Sequence, residues 1–184
     1  MSPWRAACLY GMSDRAPADT KNLDIYGHEP LEWARVRRDL GGAPERDIAA
    51  FLATVRPDGR PHSAGIGPAW VDGEMYFTSG PGARKARNLA ANPACTLSLR
   101  LPTVDLVLEG EAARVTEPAT LEAVAARYRD GGWPAEVDGD AFTAPFSAPS
   151  AGPPPWHVYR LAFHTAFAVA TTEPHGATRW RFER

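Results

Sequence analysis

Alternating hydrophobic and polar positions recur along the 184-residue chain and predict mainly strands. Tight-turn signals such as Pro57-Asp58-Gly59 and Asp72-Gly73 separate these runs. The predicted strands cover residues 48–55, 60–71, 75–78, 95–99, 105–115, 156–161, 167–170 and 177–182. Many strands and few helices predict a β-barrel with peripheral helices.

Three segments carry helical signals instead. Residues 29–40 are predicted as a helix because Pro30 lies near its start and Gly41-Gly42 follows it. A second helix is predicted from Arg84 to Asn92, where Pro93 ends it. A third helix begins at Glu117-Pro118, and its predicted core face consists of Leu121, Val124, Ala125 and Tyr128.

Two segments lack a clear pattern. Residues 1–26 are polar, which predicts a flexible N-terminal arm in front of one compact domain at 27–184. Residues 130–155 are rich in Gly, Pro and Ala but contain Trp133, Phe142 and Phe146. Loops of this length are usually functional or disordered. The aromatic residues favour a lid or a dimer-contact loop over a free linker.

Composition and charge narrow the classes of function. A net charge of −2 without a long basic run argues against a nucleic-acid partner. No apolar run reaches the roughly 20 residues needed to span a membrane, so no membrane partner is expected. Two distant cysteines do not support a disulfide framework, and a cytoplasmic location is the expectation. We expect no metal site, since metal-ligand spacing is absent around His28, His157, His164 and His175.

The start of the helix at Arg84 has an unusual charge. A helix start has unpaired backbone N–H groups and the positive end of the helix dipole, so acidic residues are favoured there. Here Arg84, Lys85 and Arg87 follow a Ser79-Gly80-Pro81-Gly82 loop, and each cation is opposed by about 0.3–1 kcal/mol. Either a bound anion such as phosphate compensates, or the arginines simply solvate an exposed helix.

Four segments, in this order, resemble the pyridoxamine 5′-phosphate oxidase-like family of FMN-binding split barrels: RPHSAGIGPAW, YFTSGPGARKARNLAANP, DLVLEGEA and ATRWRF. More narrowly, they resemble the flavin/deazaflavin oxidoreductases common in actinobacteria. The resemblance runs from about Leu31 to the end of the chain. It implies a mainly β, six-stranded split barrel and a homodimer with a cofactor, F420 or FMN, at the dimer interface.

The resemblance also implies positions for the cofactor contacts. The cofactor strand would carry Arg60, Pro61, His62 and Ser63. The ring and ribityl chain would lie beside Tyr76, Phe77, Thr78 and Ser79. The phosphate would be held by Arg84, Lys85 and Asn88, and the other subunit would contribute Arg179, Trp180 and Arg181. No catalytic residue is assigned, because in such enzymes the cofactor performs the hydride chemistry.

Three functions agree with this resemblance. The first is an F420H2-dependent reductase that transfers hydride to a small organic substrate; the many Ala, Pro and Arg residues and the KARNL segment favour it. The second is an FMN-dependent oxidase or reductase, although vitamin B6 oxidation is not expected because the usual Arg-Leu-Ala-Pro-like ending is absent. The third is a non-catalytic carrier of flavin, F420 or haem, with His62 or His157 as the axial haem ligand.

Overall fold

Backbone hydrogen bonds join most of the strands into one large sheet. The computed structural model describes residues 15–42, 48–147 and 152–183. In chain order its elements are β1 (Asp19–Asn22), α1 (Trp33–Gly42), β2 (Ala49–Val55), β3 (Pro61–Gly65), β4 (Pro68–Val71), β5 (Glu74–Ser79), α2 (Arg84–Ala91), β6 (Ala94–Arg100), β7 (Val104–Val115), α3 (Pro118–Asp130), β8 (Glu136–Asp138), β9 (Ala141–Thr143), β10 (His157–Ala170) and β11 (Ala177–Arg181). The mainly β prediction is confirmed, and no helix in the described ranges is long and apolar enough to cross a membrane.

Strand β10 organises the large sheet because its two halves have different neighbours. Strand β7 pairs with one edge of β10 along nearly its whole length. On the other edge, residues 157–161 pair with β5 and residues 165–169 pair with β11. The sheet therefore divides along β10, as expected for a split barrel. Among the described residues this sheet contains nine strands, in the order β1-β11-β10-β7-β6-β2-β3 with β5 and β4 branching from β10.

The sheet is open beside β3. Within the described residues, β3 pairs only with β2, and β4 pairs only with β5. The chain therefore leaves one part of the sheet and joins another at Ile66-Gly67. The single strand predicted at residues 60–71 is wrong for this reason, since its two halves have different partners.

Apolar side chains fill two clusters. The larger one occupies the inside of the sheet, where α1 contributes Trp33, Val36 and Leu40. The smaller one lies between α3, β4 and the segment after α3. The predicted core face of α3 is confirmed, since all four of its residues are buried: Leu121, Val124, Ala125 and Tyr128.

The N-terminal segment contains a strand that its sequence does not reveal. All four residues of β1 are exposed, and the strand is held by backbone pairing with β11. The predicted flexible arm is therefore wrong for residues 19–22, because no buried face was needed to form this strand. Residues 1–14 of the predicted arm lie outside the described part of the chain.

Helix α1 begins later than predicted. It starts at Trp33 rather than residue 29 because the preceding segment is tied to β11, with the Leu31 N–H donating to Thr178 Oγ1 at 2.7 Å. The two strands predicted at 156–161 and 167–170 form one strand, β10. An irregularity between Phe163 and Thr165 shifts its register, which interrupts the alternating pattern in the sequence.

The segment predicted as a lid or contact loop is partly folded. Its described residues include the β8–β9 hairpin, and Phe142 pairs through its backbone with Trp156. Phe142 is fully buried and Trp133 packs beside it, with ring centroids 6.2 Å apart. A free linker is therefore the wrong interpretation of this part. Residues 148–151 lie outside the described ranges, and the lid role stays a prediction.

The close approach of β7 to the irregular part of β10 yields a stability prediction. A Cβ atom added at Gly110 would lie 2.2 Å from the Ala162 carbonyl oxygen, which is backbone and cannot move aside. We expect Gly110→Ala to lower the free energy of unfolding by about 1–3 kcal/mol or more, as overpacking does.

Urea denaturation measures this effect, and Gly41→Ala in α1 is the matched control. No atom of the described residues lies within 4 Å of a Cβ added at Gly41, and alanine is favoured over glycine in a helix by about 0.5–1 kcal/mol. Equal stability of the Gly110 variant and the wild type would contradict the packing described here.

Candidate cofactor-binding site

A cleft of about 810 Å³ lies beside β3, where the sheet is open. Strands β2 and β3 and the Ile66-Gly67 connection form one wall, and Thr78 of β5 and the start of α2 form the other. Its polar lining consists of His62, Thr78, Arg84 and Lys85, whereas the rest is mostly apolar. No carboxylate is among the described residues that line it.

Helix α2 begins at this cleft without a cap. Ala83 occupies the N-cap position in an extended conformation, with no side-chain hydrogen bond to the helix, and the first turn has no acidic residue. The opening N–H groups of a helix have no acceptor within it. The start of α2 therefore presents unsatisfied donors and the positive end of a dipole to the cleft.

Lys85 is the most informative residue of the cleft. Lys85 is only 6% exposed, and this burial lowers the pKa of its ammonium group. Within the described residues no carboxylate is paired with it. Because a buried charge is costly without a partner, the position favours an anion brought from outside.

Two further basic side chains, His62 and Arg56, lie near Lys85 and Arg84. Burial and the positive charges of Arg56, Arg84 and Lys85 lower the pKa of His62, in that order of importance. The Nδ1 atom of His62 and the Nε atom of Arg56 are buried without a hydrogen-bond partner. The start of α2, strand β3 and the turn after β2 thus bring four basic side chains near one another. Such a cluster of positive charge suits a phosphate group.

A short hydrogen-bond chain fixes this arrangement. Asn88 of α2 donates from Nδ2 to Thr54 Oγ1 at 2.9 Å. Thr54 in turn donates to the backbone carbonyl of His62 at 3.4 Å. The chain therefore ties α2 to β2 and β3, and so sets the start of α2 relative to His62.

Comparison with known proteins identifies the family. The family model described as pyridoxamine 5′-phosphate oxidase matches residues 43–170. The chain belongs to the pyridoxamine 5′-phosphate oxidase family. A pyridoxine/pyridoxamine 5′-phosphate oxidase of Acidothermus cellulolyticus is 29% identical over 139 residues, which cover 60% of this chain and 62% of that protein. The chain thus spans less than two thirds of this curated relative.

Solved structures show the same fold. A pyridoxamine 5′-phosphate oxidase-related, FMN-binding protein of Nostoc punctiforme matches with a TM-score of 0.53 at 20% identity, over 86% of this chain and 92% of that one. A haem-binding protein of Mycobacterium smegmatis matches with a TM-score of 0.57 at 15% identity, over 81% and 58% of the two chains. At these identities the matches establish the split-barrel fold.

The family's expected cofactor contacts are only partly gathered at the cleft. Four of the predicted residues line it: His62, Thr78, Arg84 and Lys85. Asn88 does not line the cleft, and its Nδ2 atom donates a hydrogen bond to Thr54 Oγ1. The residues predicted to hold the phosphate at the helix start, Arg84 and Lys85, therefore lie in the same cleft. Their role in cofactor binding stays a prediction.

Several predicted contacts lie elsewhere because successive strand residues face opposite sides of a sheet. On β3, Pro61 and Ser63 face away from His62, and the Arg60 side chain pairs with Asp58 at 2.6 Å before the strand begins. On β5, Tyr76 and Phe77 are buried in the two apolar clusters. These positions therefore do not line the cleft, and their assignment as cofactor contacts stays a prediction.

Four other predicted contacts also lie away from the cleft. Ser79 is buried, and its hydroxyl donates to the Gly80 carbonyl at 3.3 Å. Trp180 is 1% exposed and packs on Trp33 with ring centroids 5.3 Å apart, so its indole is unavailable to a second subunit. On the same strand, Arg181 is exposed and paired in register with Asp19. Arg179, which precedes Trp180, is engaged by its ion pair with Asp19 at 2.7 Å.

Sequence reasoning missed the apolar half of the cleft and also Arg56, whose charge acts on His62 although Arg56 does not line the cleft. Phe51, Ala64 and Ile66 line the cleft, and Phe51 is 55% exposed although its sequence context resembles core. The Gly and Pro residues at 65–68 were the signal for a close backbone approach. In the sequence, the position of Arg56 directly before the Pro57-Asp58-Gly59 turn was the only sign of its role near His62.

The lowered pKa of Lys85 predicts an unusual effect on stability. We expect Lys85→Met to raise the free energy of unfolding of the ligand-free protein by up to about 1 kcal/mol, because it removes a partly desolvated charge that no described carboxylate compensates. The folded protein lowers this pKa, so the charged side chain opposes folding at neutral pH. This penalty fades as the pH rises toward 10.5, the ordinary pKa of lysine, where the side chain is neutral in both states.

Urea denaturation in phosphate-free buffer, repeated from pH 7 to 10, measures the difference between the variant and the wild type. Lys21→Met on exposed β1 is the control, with no expected gain. A loss of stability in Lys85→Met at pH 7 would contradict an unpaired charge.

Proposed function

We propose that the cleft holds a phosphate-bearing flavin-type cofactor and that the protein is an oxidoreductase, specifically an F420H2-dependent reductase acting on a small organic substrate. The observation that carries this proposal is Lys85, which is mostly buried at the uncapped start of α2 with no carboxylate partner among the described residues. When bound, such a cofactor would supply the hydride chemistry, and the protein would bind and orient it.

The two ends of the cleft suit the two ends of such a cofactor. The phosphate would be held by Lys85, Arg84 and the opening N–H groups of α2. The apolar end, with Phe51 and Ile66, suits a planar ring. A volume of about 810 Å³ lies within the range of ordinary small-molecule sites.

The surface beyond the phosphate end favours F420 over FMN. F420 carries a phosphodiester followed by carboxylate groups, so its binding requires positive charge beyond the phosphate. Arg87 is exposed on the first turn of α2, next to the residues that would hold the phosphate, and provides that charge. FMN is the second candidate, because the same phosphate site fits it and the chain belongs to the pyridoxamine 5′-phosphate oxidase family.

Cofactor titration tests this proposal. We expect Lys85→Ala to weaken binding of FMN or F420 about 10- to 150-fold, the loss of a charge-assisted contact worth about 1.5–3 kcal/mol. Absorbance and fluorescence titrations of the purified protein with each cofactor measure the affinity. Riboflavin, which lacks the phosphate, should bind the variant and the wild type equally.

Lys21→Ala, a lysine on exposed β1, is the matched control and should bind like the wild type. F420 binding with little FMN binding supports the deazaflavin reductase, and the reverse supports the FMN enzyme. If Lys85→Ala kept wild-type affinity, the phosphate assignment would be wrong. Binding of haem alone would favour the carrier.

We also propose that the protein is a homodimer whose partner closes the cleft. One side of the large sheet aligns Phe51, Ser98, Val107 and Phe167 in neighbouring register positions. Val169 lies on the same face and is 56% exposed, close to the 55% of Phe51. Since Phe51 also lines the cleft, a second copy on this face would cover the cleft as well.

This surface predicts the effect of a charge on assembly. We expect Val169→Asp to shift the protein toward monomers by burying a charge in the interface, as measured by sedimentation velocity over a range of concentrations. Phe146→Asp is the control, because Phe146 is an exposed apolar residue outside this face. A Val169 variant that stays dimeric, or a wild type that is monomeric throughout, would refute this interface.

A further inference from the structure

Tyr128 connects the smaller apolar cluster to the cleft. It lies on the core face of α3 and is 5% exposed. Its ring packs on Trp133 with centroids 4.8 Å apart and on Phe142 with centroids 6.2 Å apart. Its hydroxyl donates to the Gly67 carbonyl at 2.7 Å, across 61 positions of sequence. The aromatic cluster around Tyr128 is thus joined to a wall of the cleft by the hydrogen bond from the Tyr128 hydroxyl to the Gly67 carbonyl.

The wall that receives this bond is a bare stretch of backbone, Gly65-Ile66-Gly67. All three residues line the cleft. A Cβ atom added at Gly65 or Gly67 would meet no atom within 4 Å, and neither glycine has the left-handed backbone that requires glycine. Packing within the described chain therefore does not explain these glycines. A ligand that approaches the backbone closely does.

This stretch lies where the chain passes from β3 to β4, with Gly65 paired to Phe51 and the Ile66 side chain packed against the larger apolar cluster. The Ile66 N–H donates to the Ala50 carbonyl at 3.1 Å on one side. The Tyr128 hydroxyl holds the Gly67 carbonyl on the other. At its Gly67 end, the wall is thus held by a hydroxyl group that belongs to neither β5 nor α2.

We propose that Tyr128 is a positioning residue that fixes the Gly65–Gly67 wall against the ring of the bound cofactor, and so couples α3 and the β8–β9 hairpin to the cleft. This inference rests on the proposed function. It assigns the ring to the Gly65–Gly67 backbone and Phe51 rather than to Tyr76 and Phe77, which are buried. The phosphate end, at Lys85, is independent of the Tyr128 bond.

The test compares Tyr128→Phe with Tyr159→Phe, using FMN and F420 as probes. Both tyrosines are similarly buried, and Tyr159 stacks on Phe77 away from Gly67. We expect Tyr128→Phe to raise the dissociation constant of the bound cofactor about three- to ten-fold, as the loss of one hydrogen bond does. It should also change the visible circular dichroism of the bound ring. Stabilisation of the protein by inorganic phosphate should stay as in the wild type, because that end of the site is intact.

Gly67→Ala is the second variant, since its added methyl group clashes with nothing in the described chain. We expect it to weaken cofactor binding without altering the effect of phosphate, even if Tyr128→Phe lowers the melting temperature. Wild-type affinity and ring spectrum in both variants would overturn the inference while Lys85→Ala still weakened binding. A wild type that binds neither probe would instead overturn the proposed function, and this inference with it.

Discussion

A mostly buried lysine with no carboxylate partner among the described residues, Lys85, is the constraint on which the cleft depends. Lys85 is held inside by α2, whose start has no cap and no acidic residue, and burial lowers its pKa. The same point is surrounded by Arg84, Arg56 and His62. Such an arrangement opposes folding of the ligand-free protein and becomes favourable only with an anion present. Some stability is therefore exchanged for a binding site, as is common where function requires strained electrostatics.

The fold creates this site through the division of its sheet along β10. Because β5 and β11 share one edge of β10, the sheet remains open beside β3, and the cleft lies in that opening. Helix α2 follows β5 directly, so its start reaches the same opening. The bond chain from Asn88 through Thr54 to the His62 carbonyl then fixes the helix relative to β3. Opposite it, Tyr128 reaches the Gly67 wall from α3.

The sequence predicted the local features of this protein better than the long-range ones. Charge at the start of α2 and the buried face of α3 were recognisable because each depends on neighbouring residues. The contacts of Trp180 and Tyr76 were not, because alternation along a strand does not tell which face meets the core. Pairing of exposed β1 with β11 left no hydrophobic pattern at all. The Tyr128 bond joins residues 61 positions apart, and nothing local marks a tyrosine hydroxyl for a distant carbonyl.

A crystal structure of the protein with FMN or F420 tests the central claim most directly. The account predicts the cofactor phosphate at the start of α2, with an oxygen about 2.7–3.2 Å from Lys85 Nζ and others near the opening N–H groups of the helix. The ring would lie toward Phe51 and the Gly65–Gly67 backbone. A cofactor bound elsewhere, or a phosphate that leaves Lys85 buried and unpaired, would contradict it.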